Sequence, residues 1–184
     1  EKIGDNGRTK LIYVGRLIRR KNIDFLIDFV SKYRADFDLT VVGSGVKQDT
    51  WLNKVERDLE NLSNVTHKPY LTPDNLVKEL DTADIFILPS FNETWGIVYL
   101  EAMARGLPVI YMHGTGIDGY FGKTIGGALK TLDNDSLIEV IDSIRKNRTE
   151  IVANCREYSK SFYWRIIVRD IYDIYQNSIK NKNI

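Results

Sequence analysis

The sequence has few residues that bind metals or form cross-links. Its 184 residues include one cysteine and two histidines. Cys155 therefore cannot form an internal disulfide, and with only His67 and His113 as further soft ligands no structural zinc site has enough partners. These scarcities predict a chain without a resident metal, and a reducing cytoplasm as its compartment.

Long apolar runs and an excess of one charge are also lacking. No run approaches the roughly twenty apolar residues of a membrane-spanning helix. Lys and Arg number 26 against 25 Asp and Glu, a net charge of +1, which gives no reason to expect a nucleic-acid partner held by a domain-wide basic surface. The first residues, 1–7, have neither an initiator Met nor an apolar leader, so we expect the chain to be part of a longer protein.

What is present is typical of one globular domain. Apolar residues make up 43% and charged residues 28%, and the length corresponds to about one domain. Ile, Asn and Lys together supply 48 residues (21, 13 and 14), a bias that AT-rich bacterial coding often produces. The composition thus favours a bacterial source.

Short β-branched runs alternate with segments of helical period, which predicts successive βα units around a parallel sheet with helices on both faces. The predicted strands are Leu11–Val14, Leu39–Val42, Val65–His67, Ile85–Leu88 and Val109–Met112. The predicted helices between them are Asn22–Tyr33, Lys47–Leu59, Pro73–Thr82 and Gly96–Arg105.

The pattern changes after Met112. Six glycines within fourteen residues, 114–127, predict a loop, either mobile or close to a ligand. From Asp133 onward the period is helical. An aromatic stripe there is interpreted as a packing face rather than an exposed docking face; its members are Phe162, Tyr163, Trp164, Tyr172 and Tyr175.

Three short motifs fall short of a functional signature. Gly43-Ser44-Gly45 follows a strand, but Gln48 stands where a dinucleotide fingerprint needs its third glycine. What remains is a glycine turn at a strand end, either a plain turn or one that approaches an anion. Gly122-Lys123-Thr124 ends like a phosphate-binding P-loop but lacks the first glycine of that motif. Asp36-Phe37-Asp38 has the Asp-x-Asp pattern of a metal site, but it precedes a predicted strand, whereas such ligands follow one.

A basic turn follows the first predicted strand. Gly15, Arg16 and Lys21 lie at its carboxyl end, where ligands of open parallel sheets bind. Two fixed cations there suit a diphosphate, and the alternative for Arg16 and Lys21 is a solvated basic loop. Arg19 and Arg20 are interpreted as solvated.

The segment 89–103 contains two acids, Glu93 and Glu101, around a predicted helix start. Eight residues of helix would separate them by roughly 12 Å, too far for a shared glycosidase step, whose pairs stand about 5 to 9.5 Å apart. They are therefore interpreted as contacting different parts of one ligand, with a capping or salt-bridging acid as the alternative for Glu101. The free N–H groups near 96–98, at the positive end of the helix dipole, predict an anion site.

These motifs resemble, in order and spacing, those of the retaining glycosyltransferases of the GT-B fold, family 4. The similarity rests on Glu93 and Glu101 followed by Ala-Met-Ala-x-Gly-Leu-Pro-Val, on Gly15-Arg16-Leu17 with Lys21, on the turn at Gly43 and Gly45, and on the segment 83–90. It runs from about residue 11 to residue 175. It implies a Rossmann-like α/β domain, the C-terminal half of a GT-B fold.

The resemblance implies a role for each site residue. Arg16 and Lys21 would bind the diphosphate of a UDP- or GDP-sugar, Glu93 the sugar hydroxyls and Glu101 the ribose hydroxyls. Glu93, Arg16 and Lys21 would be catalytic. The remaining donor-binding positions would be Gly15, Gly43, Gly45, Thr94, Trp95, Gly96, Ile97 and Val98.

The resemblance also implies partners. A missing N-terminal domain would supply the acceptor side of the cleft, with residues 162–181 crossing back towards it. The acceptor would be a glycan or a lipid-linked molecule, and the enzyme would act in bacterial surface polysaccharide synthesis. No cofactor or metal beyond the donor is expected. The expected location is the cytoplasm, with peripheral association of the parent enzyme at the inner face of the membrane left open.

Two alternatives remain at this stage, a GT-B sugar-nucleotide epimerase and a non-catalytic nucleotide-binding regulatory module. The chain also departs from the family. Lys68-Pro69-Tyr70 stands where glycine is frequent, and Gly114-Thr115-Gly116 stands where many members have Gly-Gly before an acid.

Overall fold

The computed structural model describes residues 7–46 and 49–180. They form a sheet of six parallel strands in the order β3-β2-β1-β4-β5-β6. The strands are β1 (Thr9–Val14), β2 (Phe37–Val42), β3 (Val65–Lys68), β4 (Ile85–Leu88), β5 (Val109–Met112) and β6 (Gly126–Leu129).

Seven helices connect and follow these strands. A 3₁₀ turn, Arg19–Lys21, precedes the first of them. The helices are α1 (Ile23–Lys32), α2 (Thr50–Glu60), α3 (Pro73–Thr82), α4 (Ile97–Ala104), α5 (Asn134–Lys146), α6 (Arg148–Lys160) and α7 (Trp164–Lys180).

The strand order changes direction between β1 and β4. Leu11 pairs with Leu39 of β2 on one side and with Ile85 of β4 on the other. Chain connections therefore leave the sheet in opposite directions at this point, which opens a crevice at the carboxyl ends of β1 and β4. All residues of β4 and β5 are buried, as strands covered by helices on both faces must be.

The five predicted strands are all present, and the α/β fold is confirmed. The sixth strand, Gly126–Leu129, was not predicted, because two glycines begin a segment that the sequence analysis placed in a loop. Helix α2 begins at Thr50, with Asp49 as N-cap, and the predicted start at Lys47 lies outside the described residues. Gly96 and Arg105 cap α4 rather than belonging to it.

The aromatic stripe was predicted to be a packing face, with residues 162–181 crossing back towards a further domain, and within the described residues most of it is uncovered. Trp164, Tyr172 and Tyr175 are exposed along α7 and Tyr163 is exposed just before it, whereas Phe162 packs against Trp95. The apolar period correctly indicated an amphipathic helix but could not show which surface covers it. Within the described residues, no helix combines the length and apolarity needed to cross a membrane.

Candidate functional site

Two glycine turns meet at the carboxyl end of β1. The Gly15 N–H donates to Val42 O at 2.9 Å. A Cβ on Gly43 would lie 2.0 Å from Gly15 O, closer than any side chain can approach, and Gly43 has φ 142°. The turns after β1 and β2 therefore need glycine at residue 43 to pack backbone against backbone.

Lys21 returns over the first of these turns. The 3₁₀ turn redirects the chain after β1, so that Lys21 Nζ lies 3.1 Å from where a Cβ of Gly15 would be. Nζ also lies 3.3 Å from Glu93 Oε2, and the two side chains are only 12% and 14% exposed. The structure thus joins two predicted site residues that are 72 positions apart in sequence.

The Glu93 carboxylate is incompletely satisfied. Its Oε2 atom is buried and, among the described residues, has no hydrogen bond of good geometry despite the ionic contact with Lys21. A buried acceptor left without a donor costs free energy. The described residues thus leave hydrogen-bonding capacity of Glu93 Oε2 unused.

Two buried tyrosines lie behind this pair. Tyr13 Oη donates to Arg16 O and Tyr99 Oη to Leu88 O, each at 2.9 Å. Burial, and secondarily the negative charge of Glu93, raise the pKa of both phenols above the ordinary value. They remain protonated, and their role is to fix the loops that follow β1 and β4.

Those two loops are also tied directly to each other. Phe91 N donates to Arg20 O at 2.9 Å, and Asn22 Nδ2 donates to Pro89 O at 2.6 Å. Asn22 adopts a left-handed conformation, φ 50°, that places its side chain in position for this bond. The β1 and β4 loops therefore form one connected floor for the crevice.

The glycine-rich segment after β5 supports the Glu93 loop from the other side. Gly116 N donates to Glu93 O at 3.0 Å, and a Cβ on Gly116 would lie 1.3 Å from Thr94 O. Asp118 Oδ2 holds the turn by accepting from Gly114 N at 2.8 Å and contacting His113 Nδ1 at 2.7 Å. Glycine at residue 116 is thus a condition for the observed Glu93 loop.

The Trp95 side chain is turned into a separate aromatic cluster. Its ring centroid lies 4.3 Å from that of Tyr120, 5.7 Å from Phe162 and 6.2 Å from Phe121. The ring is therefore engaged in packing, and the contribution expected of Trp95 to a ligand is that of its backbone.

Helix α4 begins beside the Glu93 loop. Gly96 is its N-cap, in a left-handed conformation with no side-chain cap, and Ile97 is exposed. The first N–H groups of a helix have no intrahelical acceptor, so residues 96–98 present donors and a positive dipole end at the crevice. Glu101 is exposed one turn further along, and Arg16 is exposed in the loop after β1.

Other singled-out residues have structural roles. A Cβ on Gly45 would lie 2.6 Å from Leu17 O, so this turn packs closely on the β1 loop. Arg19 stacks over Trp51 at 5.3 Å, and Arg20 donates to Phe91 O at 3.4 Å. Asp38 lies near the amino end of β2, at the opposite edge from the crevice, and pairs with Arg8 at 3.0 Å.

Sequence reasoning missed three residues that shape the site: Tyr13, Asn22 and Tyr99. Each reads as a core or helix-start residue in one dimension. The density of glycines after β5 did signal a close backbone approach, but its partner, the Glu93–Thr94 turn, is visible only in three dimensions.

Comparison with known proteins tests the family that the motifs suggest. The model of the family described as "Glycosyl transferases group 1" matches residues 2–162. The chain belongs to this family. The chain is 28% identical over 194 residues to a D-inositol 3-phosphate glycosyltransferase of Corynebacterium kroppenstedtii, with 94% of the chain and 41% of the relative covered.

Further relatives extend the match. An uncharacterized glycosyltransferase of Methanocaldococcus jannaschii is 30% identical over 174 residues, which cover 90% of the chain and 44% of that protein. The chain thus spans less than half the length of these two relatives.

Solved structures confirm the GT-B half-fold. Sucrose-phosphate synthase from Thermosynechococcus elongatus superposes with a TM-score of 0.79 at 24% identity, over 96% of this chain and 47% of that one. Anabaena HepE in complex with UDP gives a TM-score of 0.76 at 17% identity, over 93% and 49%. In both cases this chain corresponds to about half of the solved chain.

Proposed function

We propose that this chain is the donor-binding domain of a retaining glycosyltransferase that transfers a sugar from a UDP- or GDP-sugar to a glycan or lipid-linked acceptor. The observation that carries the proposal is the contact between Lys21 and the under-satisfied Glu93 carboxylate in the β1/β4 crevice. A cation for phosphate and an acceptor for hydroxyls stand side by side there, as one sugar-diphosphate requires.

The proposed roles follow from the chemistry of the groups. Lys21, Arg16 and the N-terminus of α4 stabilise negative charge that develops on the diphosphate as the glycosidic bond breaks. Glu93 accepts from a sugar hydroxyl, and Glu101 accepts from the ribose hydroxyls, as the acid of a dinucleotide fold does. The presence of UDP in the HepE structure supports UDP as the first nucleotide to test.

The two acids give the decisive experiment. Isothermal titration of UDP, GDP, ADP and their glucose conjugates should identify a nucleotide. For that nucleotide, Glu101→Gln should weaken the bare diphosphate and the nucleotide-sugar equally, whereas Glu93→Gln should weaken only the nucleotide-sugar. Swapped effects would exchange the two roles, and no binding of any of these nucleotides or conjugates would contradict the function.

We propose that donor binding needs no metal, because fixed cations and a helix N-terminus supply positive charge to the diphosphate. The affinity for the nucleotide should be equal in a chelator and in Mn²⁺. Loss of binding in the chelator would contradict this.

We propose that the acceptor is bound outside this chain, by an N-terminal domain in a protein that serves bacterial surface polysaccharide synthesis in the cytoplasm or at the inner face of the membrane. Transfer needs donor and acceptor held within about 3 to 3.5 Å in a water-excluding cleft. Mass spectrometry with a donor and a panel of glycan acceptors should therefore detect no transfer by this chain alone. Efficient transfer would place the acceptor site within it.

A further inference from the structure

A large groove lies at the other edge of the sheet, by the amino ends of β1 and β4. Its volume is about 1110 Å³, and its walls come from the ends of α3, α4 and α5 and the start of α6. Strand β1 has six residues, at about 3.3 Å each, so roughly 20 Å of sheet separates the groove from the crevice. The groove is therefore a site distinct from the proposed donor site.

The groove is rich in positive charge. Five cations line it against two carboxylates, Asp81 and Asp84. The cations are Arg105, Arg145, Lys146, Arg148 and Arg156.

Both lining carboxylates are already engaged. Asp81 accepts two hydrogen bonds from Arg105, each 2.7 Å long. Asp84 pairs with Arg148 at 3.5 Å and accepts from Lys10 N at 2.9 Å. These two acids therefore compensate the charges of two of the five cations, Arg105 and Arg148.

Arg145 has partners of its own, Asp142 at 2.9 Å and Thr9 Oγ1 at 2.7 Å. In contrast, neither Lys146 nor Arg156 has an ion-pair or hydrogen-bond partner for its side chain within residues 7–46 and 49–180. Two cations of the groove thus remain uncompensated in the described part of the chain.

Helix dipoles explain only part of this arrangement. Arg105, Arg145 and Lys146 lie at helix C-termini, where a cation is favourable. Arg156 starts from the middle of α6, but its guanidinium lies against Gly106, just past the C-terminal end of α4, 2.6 Å from where a Cβ of Gly106 would be. Arg148 lies instead at the first residue of α6, where a cation is unfavourable. Of the five cations, Arg148 is thus the one that lies against a helix dipole, and it has Asp84 as its partner.

The floor between these cations is aliphatic. Leu80 and Leu107 are almost fully buried and line the groove together with Val152 and Ala153. Guanidinium groups bind phosphate oxygens in a bidentate manner, and an aliphatic floor accommodates the apolar part of a phosphate ester. We infer that this groove binds a phosphate group on an amphipathic molecule, either a soluble ester or the headgroup of an anionic lipid.

The test uses two probes on the 184-residue chain. Inorganic pyrophosphate is titrated while backbone amide NMR signals are followed, and co-sedimentation is measured with phosphatidylglycerol/phosphatidylcholine vesicles against phosphatidylcholine vesicles. Pyrophosphate should shift Gly106 and Thr149 also in the Lys21→Ala variant, in which the donor crevice is weakened. The proposal is thus tested independently of the proposed donor site.

The double variant Lys146→Ala/Arg156→Ala should reduce binding at the groove by about tenfold or more, since bonds to charged groups are the strong ones. The matched control, Lys160→Ala/Arg165→Ala, removes two exposed cations outside the groove and should change it less than about twofold. Circular dichroism checks that both variants are folded.

A soluble ester is supported if the double variant, but not the control variant, loses pyrophosphate binding. A lipid headgroup is supported if the double variant, but not the control variant, loses vesicle binding. The proposal is overturned if neither probe binds, if the double variant binds like the control, or if pyrophosphate shifts only residues of the β1/β4 crevice.

Discussion

Each end of the parallel sheet has an ion pair that joins neighbouring βα units. The two pairs differ in their exposure to solvent and in how completely their hydrogen bonds are satisfied. At the carboxyl end, Lys21 and Glu93 are nearly buried, 3.3 Å apart, and leave one carboxylate oxygen without a hydrogen bond. At the amino end, Arg105 and Asp81 are over 40% exposed and form two bonds of 2.7 Å. The exposed pair is complete by itself, whereas the buried pair is not.

The difference indicates what each pair is for. A bidentate pair in solvent needs nothing further, and its contribution to stability is small because water screens it. A buried pair with a spare acceptor is costly unless another donor arrives. Incomplete satisfaction in a crevice, rather than the mere presence of opposite charges, distinguishes the candidate binding pair from a structural one.

The largest expected effect comes from Gly116→Ala. The new methyl group would lie 1.3 Å from Thr94 O, so the Glu93 loop must move. We expect nucleotide-sugar binding to fall below detection by calorimetry, because Glu93 no longer stands beside Lys21.

The control for this change is Gly122→Ala in the same segment. Among the described residues a Cβ there would meet only Tyr158 Oη, at 3.5 Å, so binding should be unchanged. Equal binding by Gly116→Ala and the parent chain would show that the Glu93 loop is not held as described.

Lys21→Ala should have the next largest effect. A hydrogen bond to a charged group contributes about 1.5 to 3 kcal/mol, so nucleoside diphosphate affinity should fall roughly 10- to 150-fold. Arg19→Ala removes a cation from the same 3₁₀ turn, but one that stacks on Trp51, and should change the affinity little. Calorimetry on both variants would contradict the assignment of Lys21 if their affinities were the same.

The smallest effect is expected for Asp81→Asn at the amino end. Asp81 raises the pKa of Arg105 above its ordinary value, mainly through their hydrogen bonds, but the pair is exposed. Urea unfolding should show a loss below about 1 kcal/mol, with nucleotide affinity unchanged. A larger loss would remove the distinction drawn between the two pairs.

Much of the fold was predictable because buried parallel strands read as continuous apolar runs. The site was partly predictable for the same reason, since strand ends meet at one edge and Lys21 and Glu93 follow two such ends. Strand β6 was not predictable in this way, because it begins with a glycine rather than an apolar run. Glycine is needed at residue 126 because a Cβ there would lie 1.9 Å from Val109 O of the neighbouring strand. The side-chain tie between Asn22 and Pro89 depends likewise on tertiary contact.

That tie has a consequence for how a ligand would be received. Because the loops after β1 and β4 are bonded to each other through Asn22 and Phe91, this floor of the crevice is ordered when the chain folds. The conformational entropy of ordering them is therefore lost before any ligand arrives and does not subtract from its affinity. If the crevice closed around a ligand, this floor would move as one rigid unit. The distance between Lys21, proposed to bind the diphosphate, and Glu93, proposed to bind the sugar, would then stay the same.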